Sequence, residues 1–300
     1  MSAKPAFARR GRSLQPGQRS ELTVINADGS GREVIFVADE IIEAPNWTPD
    51  GKWLIFNAGG ELYRISPDGK DGPTKIDTGH LADLNNDHVL SPDGRTLYVS
   101  SDDSHLYWLP VEGGTPKRIS NDHPERHHYY LHGVSPDGKT LVYTGVNTLN
   151  GDRWGYVNIW TIPVAGGPDT QLTDSTPPDD GAEYSPDGQW IWYNSEAGSP
   201  GHAQIWKMRA DGSEQQQVTF DERVNWFPHF SRDGQHIVYL SYPPGTAGHP
   251  PDKAVILRYM KPDGTGKRDI VAFNGGQGTI NVNSWAPDNQ HFGYVAYPIG

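Results

Sequence analysis

The 300-residue chain contains no cysteine. Disulfides, thiolate metal centres and a cysteine nucleophile are thereby excluded, and the redox compartment is left open. Cationic side chains are scarce: 25 Lys and Arg stand against 37 Asp and Glu, a formal charge of −12. Nucleic acid and anionic membranes are held by clustered Lys and Arg, so neither is an expected partner. No stretch approaches the roughly 18 consecutive apolar residues of a membrane-spanning helix. Arg9, Arg10 and Arg12 are not followed by an apolar run. The N-terminus therefore reads as neither a secretory nor a twin-arginine signal, and the expected compartment is the cytoplasm. Two chemical motifs are missing as well. There is no Gly-x-Ser-x-Gly elbow, and Gly275-Gly276-Gln277-Gly278 lacks the lysine and following helix of a phosphate loop. That glycine run is read as a tight crossover between repeats.

Turn formers and aromatics are abundant. The chain has 35 Gly and 25 Pro, which alone would suit disorder, but 10 Trp, 14 Tyr and 8 Phe supply large buried surfaces between the turns. Ser91-Pro92-Asp93-Gly94 is one of six related turns, with Thr48-Pro49-Asp50-Gly51, Ser135-Pro136-Asp137-Gly138, Ser185-Pro186-Asp187-Gly188, Ser231-Arg232-Asp233-Gly234 and Ala286-Pro287-Asp288-Asn289. Proline presets a turn's first corner, aspartate caps the backbone two residues on, and glycine takes the positive φ that closes a hairpin. The six aspartates are therefore structural.

Their spacings of 43, 44, 50, 46 and 55 residues match the period of a four-stranded propeller blade. A strand such as Trp190-Ile191-Trp192-Tyr193 follows each turn, a second such as Gln204-Ile205-Trp206-Lys207-Met208 comes next, and a polar outer strand such as Gln215 to Phe220 completes the unit. The last copy ends after two strands, whereas the chain begins with an unmatched hairpin, Glu21 to Ile25 and Arg32 to Val37. The expected fold is all-β: a six-bladed β-propeller of four-stranded antiparallel blades, its ring closed by N-terminal strands that complete the C-terminal blade. Residues 1–19 are expected to be a flexible or loosely docked lead-in and residues 20–300 one propeller, present as a monomer.

These in-phase hairpins resemble those of the TolB-like propellers, whose blades carry a Trp-Ser-Pro-Asp-Gly-Lys type turn. The resemblance covers residues 20–300. Asp179 to Gly188, Asn225 to Ser231 and Gly275 to Val282 look like a bacterial subfamily of that group. TolB itself is periplasmic, carries a further N-terminal domain and binds a lipoprotein and other Tol partners. The resemblance thus implies protein binding and keeps the periplasm as a second possible compartment. The TolB-like fold is also similar to that of oligogalacturonate lyases, which carry a histidine-rich metal site in the same part of the propeller.

Blade topology sorts the loops. The Pro-Asp-Gly turns share one face, and the other face collects the stretches where the copies stop resembling one another. Ten of the twelve histidines, all but His236 and His291, map to that second face. Asn86, Asp87, His88, Tyr130, Asp180, Trp226, Gln277 and Asn281 are its candidate ligand-binding residues, with Trp154, Tyr129 and His249 nearby. His127 and His128 are read as solvated loop residues. Alignment on the turns places His88, His132, Glu183 and His229 at the channel. Imidazoles with a carboxylate suit a Zn, Mn or Fe ion at about 2.0–2.3 Å, so His88, His132 and His229 are the candidate metal ligands. Glu183 with His132 or His229 is the candidate acid–base set. Water filling a polar channel is the structural alternative. Function is expected to be that of a binding scaffold for a protein, peptide or small ligand. The alternative is a metal-assisted lyase or hydrolase acting on a carbohydrate.

Overall fold

The computed structural model describes residues 12–300. The first eleven residues of the expected lead-in lie outside the described residues. An N-terminal hairpin, β1 (Ser20–Asn26) and β2 (Glu33–Ala38), comes first. The first complete blade is β3 (Glu43–Trp47), β4 (Leu54–Ala58), β5 (Glu61–Ile65) and β6 (Thr74–Lys75). The second is β7 (Leu84–Leu90), β8 (Thr96–Ser101), β9 (Leu106–Pro110) and β10 (Lys117–Arg118). The third is β11 (His127–Val134), β12 (Thr140–Leu149), β13 (Asp152–Pro163) and β14 (Thr170–Gln171). The fourth is β15 (Asp179–Tyr184), β16 (Trp190–Ser195), β17 (Gln204–Arg209) and β18 (Gln216–Gln217). The fifth is β19 (Val224–Phe230), β20 (Ile237–Tyr242), β21 (Lys253–Met260) and β22 (Arg268–Gly275). Last comes β23 (His291–Ala296).

Each complete blade is a meander with its first strand innermost. The sixth sheet has the order β2-β1-β23, so the N-terminal hairpin does complete the C-terminal blade. Glu21 to Asn26 pair in unbroken register with Ala296 to His291. The inner position of this blade is not a continuous strand: beside the bridge between Trp285 and Phe292, the Ala286 amide donates to the His291 carbonyl, the Gly293 amide to Ser284 and the Val295 amide to Thr279. The polar outer strands are shorter than expected: four of them have two paired residues. Second strands such as β4 and β20 are buried along their whole length, as befits sheets covered on both faces by neighbouring blades.

The repeated turns behave as their chemistry requires. In the second blade, the Ser91 hydroxyl donates to Asp93 at 2.6 Å, and the amides of Arg95 and Gly94 close onto Asp93 and the Ser91 carbonyl. These bonds favour the ionised carboxylate, and in the first blade they hold Asp50 down at about 2. The turns also interlock. A methyl group added at Gly94 would stand 2.9 Å from Pro49 of the preceding turn, and Gly51 faces Pro287 at 3.2 Å in the same way. Gly138, Gly188 and Gly234 lie against Pro92, Pro136 and Pro186. The series breaks once. Arg232 replaces the proline of the fifth turn and Asn289, at φ 60°, replaces the glycine of the sixth. There the Asp233 amide donates to the Asn289 side chain at 3.0 Å, while the Arg232 guanidinium crosses to the Trp47 carbonyl at 2.9 Å.

This contact yields a test. Gly72 has a similar φ, +67° against +70° at Gly94, but faces open space. Gly72→Ala should therefore cost only its left-handed strain, about 1–2 kcal/mol. Gly94→Ala should cost roughly 1–3 kcal/mol more from overpacking on Pro49. Urea denaturation compares the two, and equal losses would remove the interlock as an energetic contact.

Candidate functional site

The innermost strands set the site because each carries a break in register halfway along. The shifts fall between Glu43 and Asn46, Leu84 and His88, Leu131 and Gly133, Asp180 and Glu183, and Trp226 and His229. A bulge re-aims the side chains on either side of it. At Gly181 an added methyl would lie 2.5 Å from the Asn194 side-chain oxygen and 2.8 Å from Phe227, so the bulge admits no side chain there. Phe227 itself is held at φ 54°, a costly conformation for a bulky residue. The bulges divide the channel into two tiers.

The upper tier is a cavity of about 580 Å³ at the channel mouth. Asn86, Asp87, Tyr130, Asp180, Trp226, Gln277 and Asn281, seven of the eight expected ligand residues, line it, together with His132. His249, Trp154, Phe227 and Thr144 join them. His88 does not. It is sealed inside, fully buried, and burial pushes its imidazole down to about 4.

His132 and Asp180 form the charged floor. His132 Nε2 lies 3.0 Å from Asp180 Oδ1, which also accepts bonds from the Thr144 hydroxyl and the Gly181 amide, each at 2.7 Å. Burial pushes the His132 ring towards neutrality, but Asp87 and Asp180 outweigh it and raise the imidazole to about 9. Burial likewise opposes ionisation of Asp180, and the His132 pair overcomes it and brings the carboxyl down to about 2. Asp87 differs. It is 4% exposed, no hydrogen bond from a described residue reaches its carboxyl group, and burial pushes it up to about 7, with His132 opposing and Asp180 adding.

The walls are aromatic and amide. Tyr130 stacks on His128 at 4.2 Å and on Trp154 at 5.6 Å, the latter carried on the long β12–β13 hairpin and 58% exposed. His249, on the loop between β20 and β21, packs on Trp226 at 4.5 Å. Its Nδ1 meets the Gln277 side-chain oxygen at 2.5 Å, and the Asn281 amide donates to the same oxygen at 3.2 Å. The described part of the lead-in is docked beside this wall. Arg12 donates to the Gln277 carbonyl at 2.7 Å, lies 3.3 Å from Glu43 and stacks 4.3 Å over Tyr297.

The lower tier, about 260 Å³, is lined by Asn46, His132, Glu183, Arg232 and Asn283 among others. Here the expected acid–base pair meets, with His229 Nδ1 2.5 Å from Glu183 Oε2. Both groups are fully engaged. Glu183 Oε1 accepts from the Phe230 amide at 3.1 Å and from Asn283 at 2.7 Å, and His229 Nε2 faces the Ile280 carbonyl at 2.6 Å. The pair braces the fourth blade to the fifth and sixth. Each oxygen of Glu183 and each nitrogen of His229 thus has a partner within the protein.

The expected metal ligands do not form a set. His88 is enclosed, both nitrogens of His229 are occupied, and His132 is paired with Asp180. Among the described residues no group of three or more His, Asp or Glu is arranged to hold a metal ion. The reading of His127 and His128 as solvated is also corrected. Both begin β11 and are buried, with His127 bonded to Asn147 and Tyr143 and packed edge-on against Trp160. Burial pushes each imidazole down to about 4.

These shifts give a pH prediction. His132 binds its proton more tightly in the folded chain than at the ordinary value near 6.5, so its contribution is complete below that pH and is lost as pH rises through about 9. Asp87, also raised, makes stability fall between its ordinary value near 3.8 and about 7. Asp180, lowered, contributes above 3.8 and loses that contribution as pH falls through about 2. Opposing Asp87 in the acid range, His88, His127 and His128 are held down at about 4 and add stability as pH rises toward 6.5. Urea titrations should therefore show stability rising from pH 4 to about 6.5 and falling from there to pH 9. Asp87→Asn should steepen the acid rise; an unchanged profile would remove Asp87 from the account.

Fold and site together define a closed six-bladed β-propeller whose variable residues gather at one mouth of the channel. A model of the TolB β-propeller domain matches residues 148–249. An uncharacterised protein of Agrobacterium fabrum (strain C58) is 40% identical over 292 residues, 95% of each chain. A solved structure from Agrobacterium tumefaciens, provisionally described as TolB, superposes with a TM-score of 0.86 at 38% identity, covering 94% of this chain and 99% of that one. The chain belongs to the TolB-like β-propeller family. The Tol-Pal system protein TolB of Francisella tularensis is 24% identical over 91% of this chain, which spans 61% of that protein's length. An oligogalacturonate lyase in complex with manganese shares the fold, with a TM-score of 0.57 at 15% identity over 86% of this chain and 75% of that one.

Proposed function

We propose that this propeller is a binding scaffold that receives a small ligand in the upper cavity of its channel mouth. The observation that carries the reading is the convergence of Asp87, Asp180, His132, Gln277 and Asn281 with Tyr130, Trp154 and Trp226 around one space of about 580 Å³. That is the size and make-up of a small-molecule site: aromatic walls with a few fixed polar groups. The lower tier has its polar groups committed to one another, so recognition belongs to the upper tier.

The absence of cysteine provides a clean test. Val157 lines the cavity and is buried, so Val157→Cys introduces a single thiol at the site. Small-molecule extract from the source cells should slow alkylation of that thiol, by about tenfold when the ligand is near ten times its dissociation constant. A control thiol at Gly72, on the surface, should react at an unchanged rate. Equal rates at the cavity thiol with and without extract would count against a ligand there.

A further inference from the structure

The cavity is lined by more carboxyl groups than cationic side chains. Of its lining residues, Asp87, Asp180 and Glu196 carry carboxyl groups. Asp180 is neutralised by His132, with which it makes a 3.0 Å pair. The other lining imidazole, His249, also faces Asp180, with its Nε2 3.6 Å from Oδ2, and burial pushes it down. Asp87 is the exception to the rule that buried carboxylates are paired. It is 4% exposed, lines the cavity, and receives no hydrogen bond from any described residue. We infer that the cavity selects an organic cation, an ammonium or guanidinium group on an apolar stem, with its charge against Asp87 and with Tyr130, Trp154 and Trp226 around the stem. The inference rests on the cavity being the binding site and names the class of ligand it takes.

Three features of the molecule support this class over a neutral or anionic one. Aromatic faces attract cations when water is excluded, and three such side chains line this space. The two carboxyl groups left after the His132 pair repel a uronate or phosphate. Finally, the chain already holds one guanidinium beside the cavity. Arg12 sits between the Glu43 carboxylate, a backbone carbonyl and the Tyr297 ring. The smaller cavity it lines shares Asn85, Asn86 and Gln277 with the main one. Asp87 with Tyr130 offers the same carboxylate-and-ring combination.

Calorimetry on the full chain tests the class with four probes: butylammonium, L-arginine methyl ester, maltotriose and trigalacturonate. The two cations should bind, and the neutral and anionic sugars should not. Asp87 is faced by His132, Asp180, Glu43, Asp102 and Tyr130. Because its carboxyl ionises near 7, cation affinity should rise about tenfold from pH 6 to pH 8. Asp87→Asn should weaken the cations at least about tenfold and abolish that rise, with melting temperature kept or increased. Tyr130→Leu should weaken them independently. A short arginine peptide binding more tightly than the arginine ester would give the cation a peptide source; the reverse order would give it a free one. Tighter binding of either sugar overturns the inference, as does unchanged cation affinity in Asp87→Asn or no heat from either cation. Protection of the Val157→Cys thiol by extract, persisting when both cations fail, would show that the cavity reading survives and only the ligand class is wrong.

Discussion

A chain lacking residues 20–38 should show no cooperative unfolding transition. β1 is paired on both edges, to β2 and to β23, and buries Leu22 and Ile25 almost completely. Leu22 belongs to the core shared with the first blade and Ile25 to the core shared with the fifth. Removing the hairpin therefore uncovers two interblade cores and leaves β23 without its partner strand. The net stability of a domain is only about 5–15 kcal/mol, and the loss of a whole ladder with two core faces exceeds it. Near-ultraviolet circular dichroism through a thermal ramp reads the outcome. Leu22→Ala serves as the milder companion, with an expected loss of about 2–5 kcal/mol. A truncated chain that melts near the wild-type temperature would mean that the ring does not depend on this closure.

Glu183→Ala should be the most damaging single substitution in the channel, at about 3–5 kcal/mol. It would strand three partners at once: the His229 ring, the Phe230 amide and the Asn283 side chain. Glu183→Gln, which preserves shape and one acceptor, should recover part of the loss. Asp87→Asn is the contrasting case, since it removes a buried charge that no described donor satisfies, and stability should hold or rise. Chemical denaturation of the three variants at pH 7 separates the tiers. Comparable losses at Glu183 and Asp87 would contradict the division into a braced lower tier and an open upper one.

Much of the architecture was legible because turn chemistry is local. A Ser-Pro-Asp-Gly run specifies its own hydrogen bonds whatever surrounds it, and six such runs at a steady period admit few folds. The same locality made the variable face readable, since Asp87, Asp180 and Trp226 stand where the repeats diverge. The bulges were not legible. They arise where innermost strands crowd around the axis, and nothing in Asp179 to Tyr184 beyond Gly181 signals one. Counted from the turn, His88 and His132 stand three residues before the serine and Glu183 and His229 two, so strand alternation turns the two pairs to opposite faces and one shared level ignores that offset. Glu183 and His229 pair below, on the turn side of the breaks in register, and His88 is sealed away. His249 is harder to assign from sequence, because its loop has no counterpart in the other blades. Its signal was a lone histidine in a Pro- and Gly-rich stretch long enough to fold back over the mouth.

The contacts between successive turns have a direction. Each blade offers a proline to the blade after it and a glycine to the blade before it, so the ring is assembled head to tail from interchangeable joints. A blade copied or lost among the first four would leave matching surfaces at the new junction. The joint between the fifth and sixth turns is different: there the Asp233 amide meets the Asn289 side chain, and Arg232 reaches across to Trp47 of the first blade. Moving that junction would set an arginine where a proline belongs. The ring therefore carries a fixed origin in its turns, one blade away from the place where its two chain ends meet.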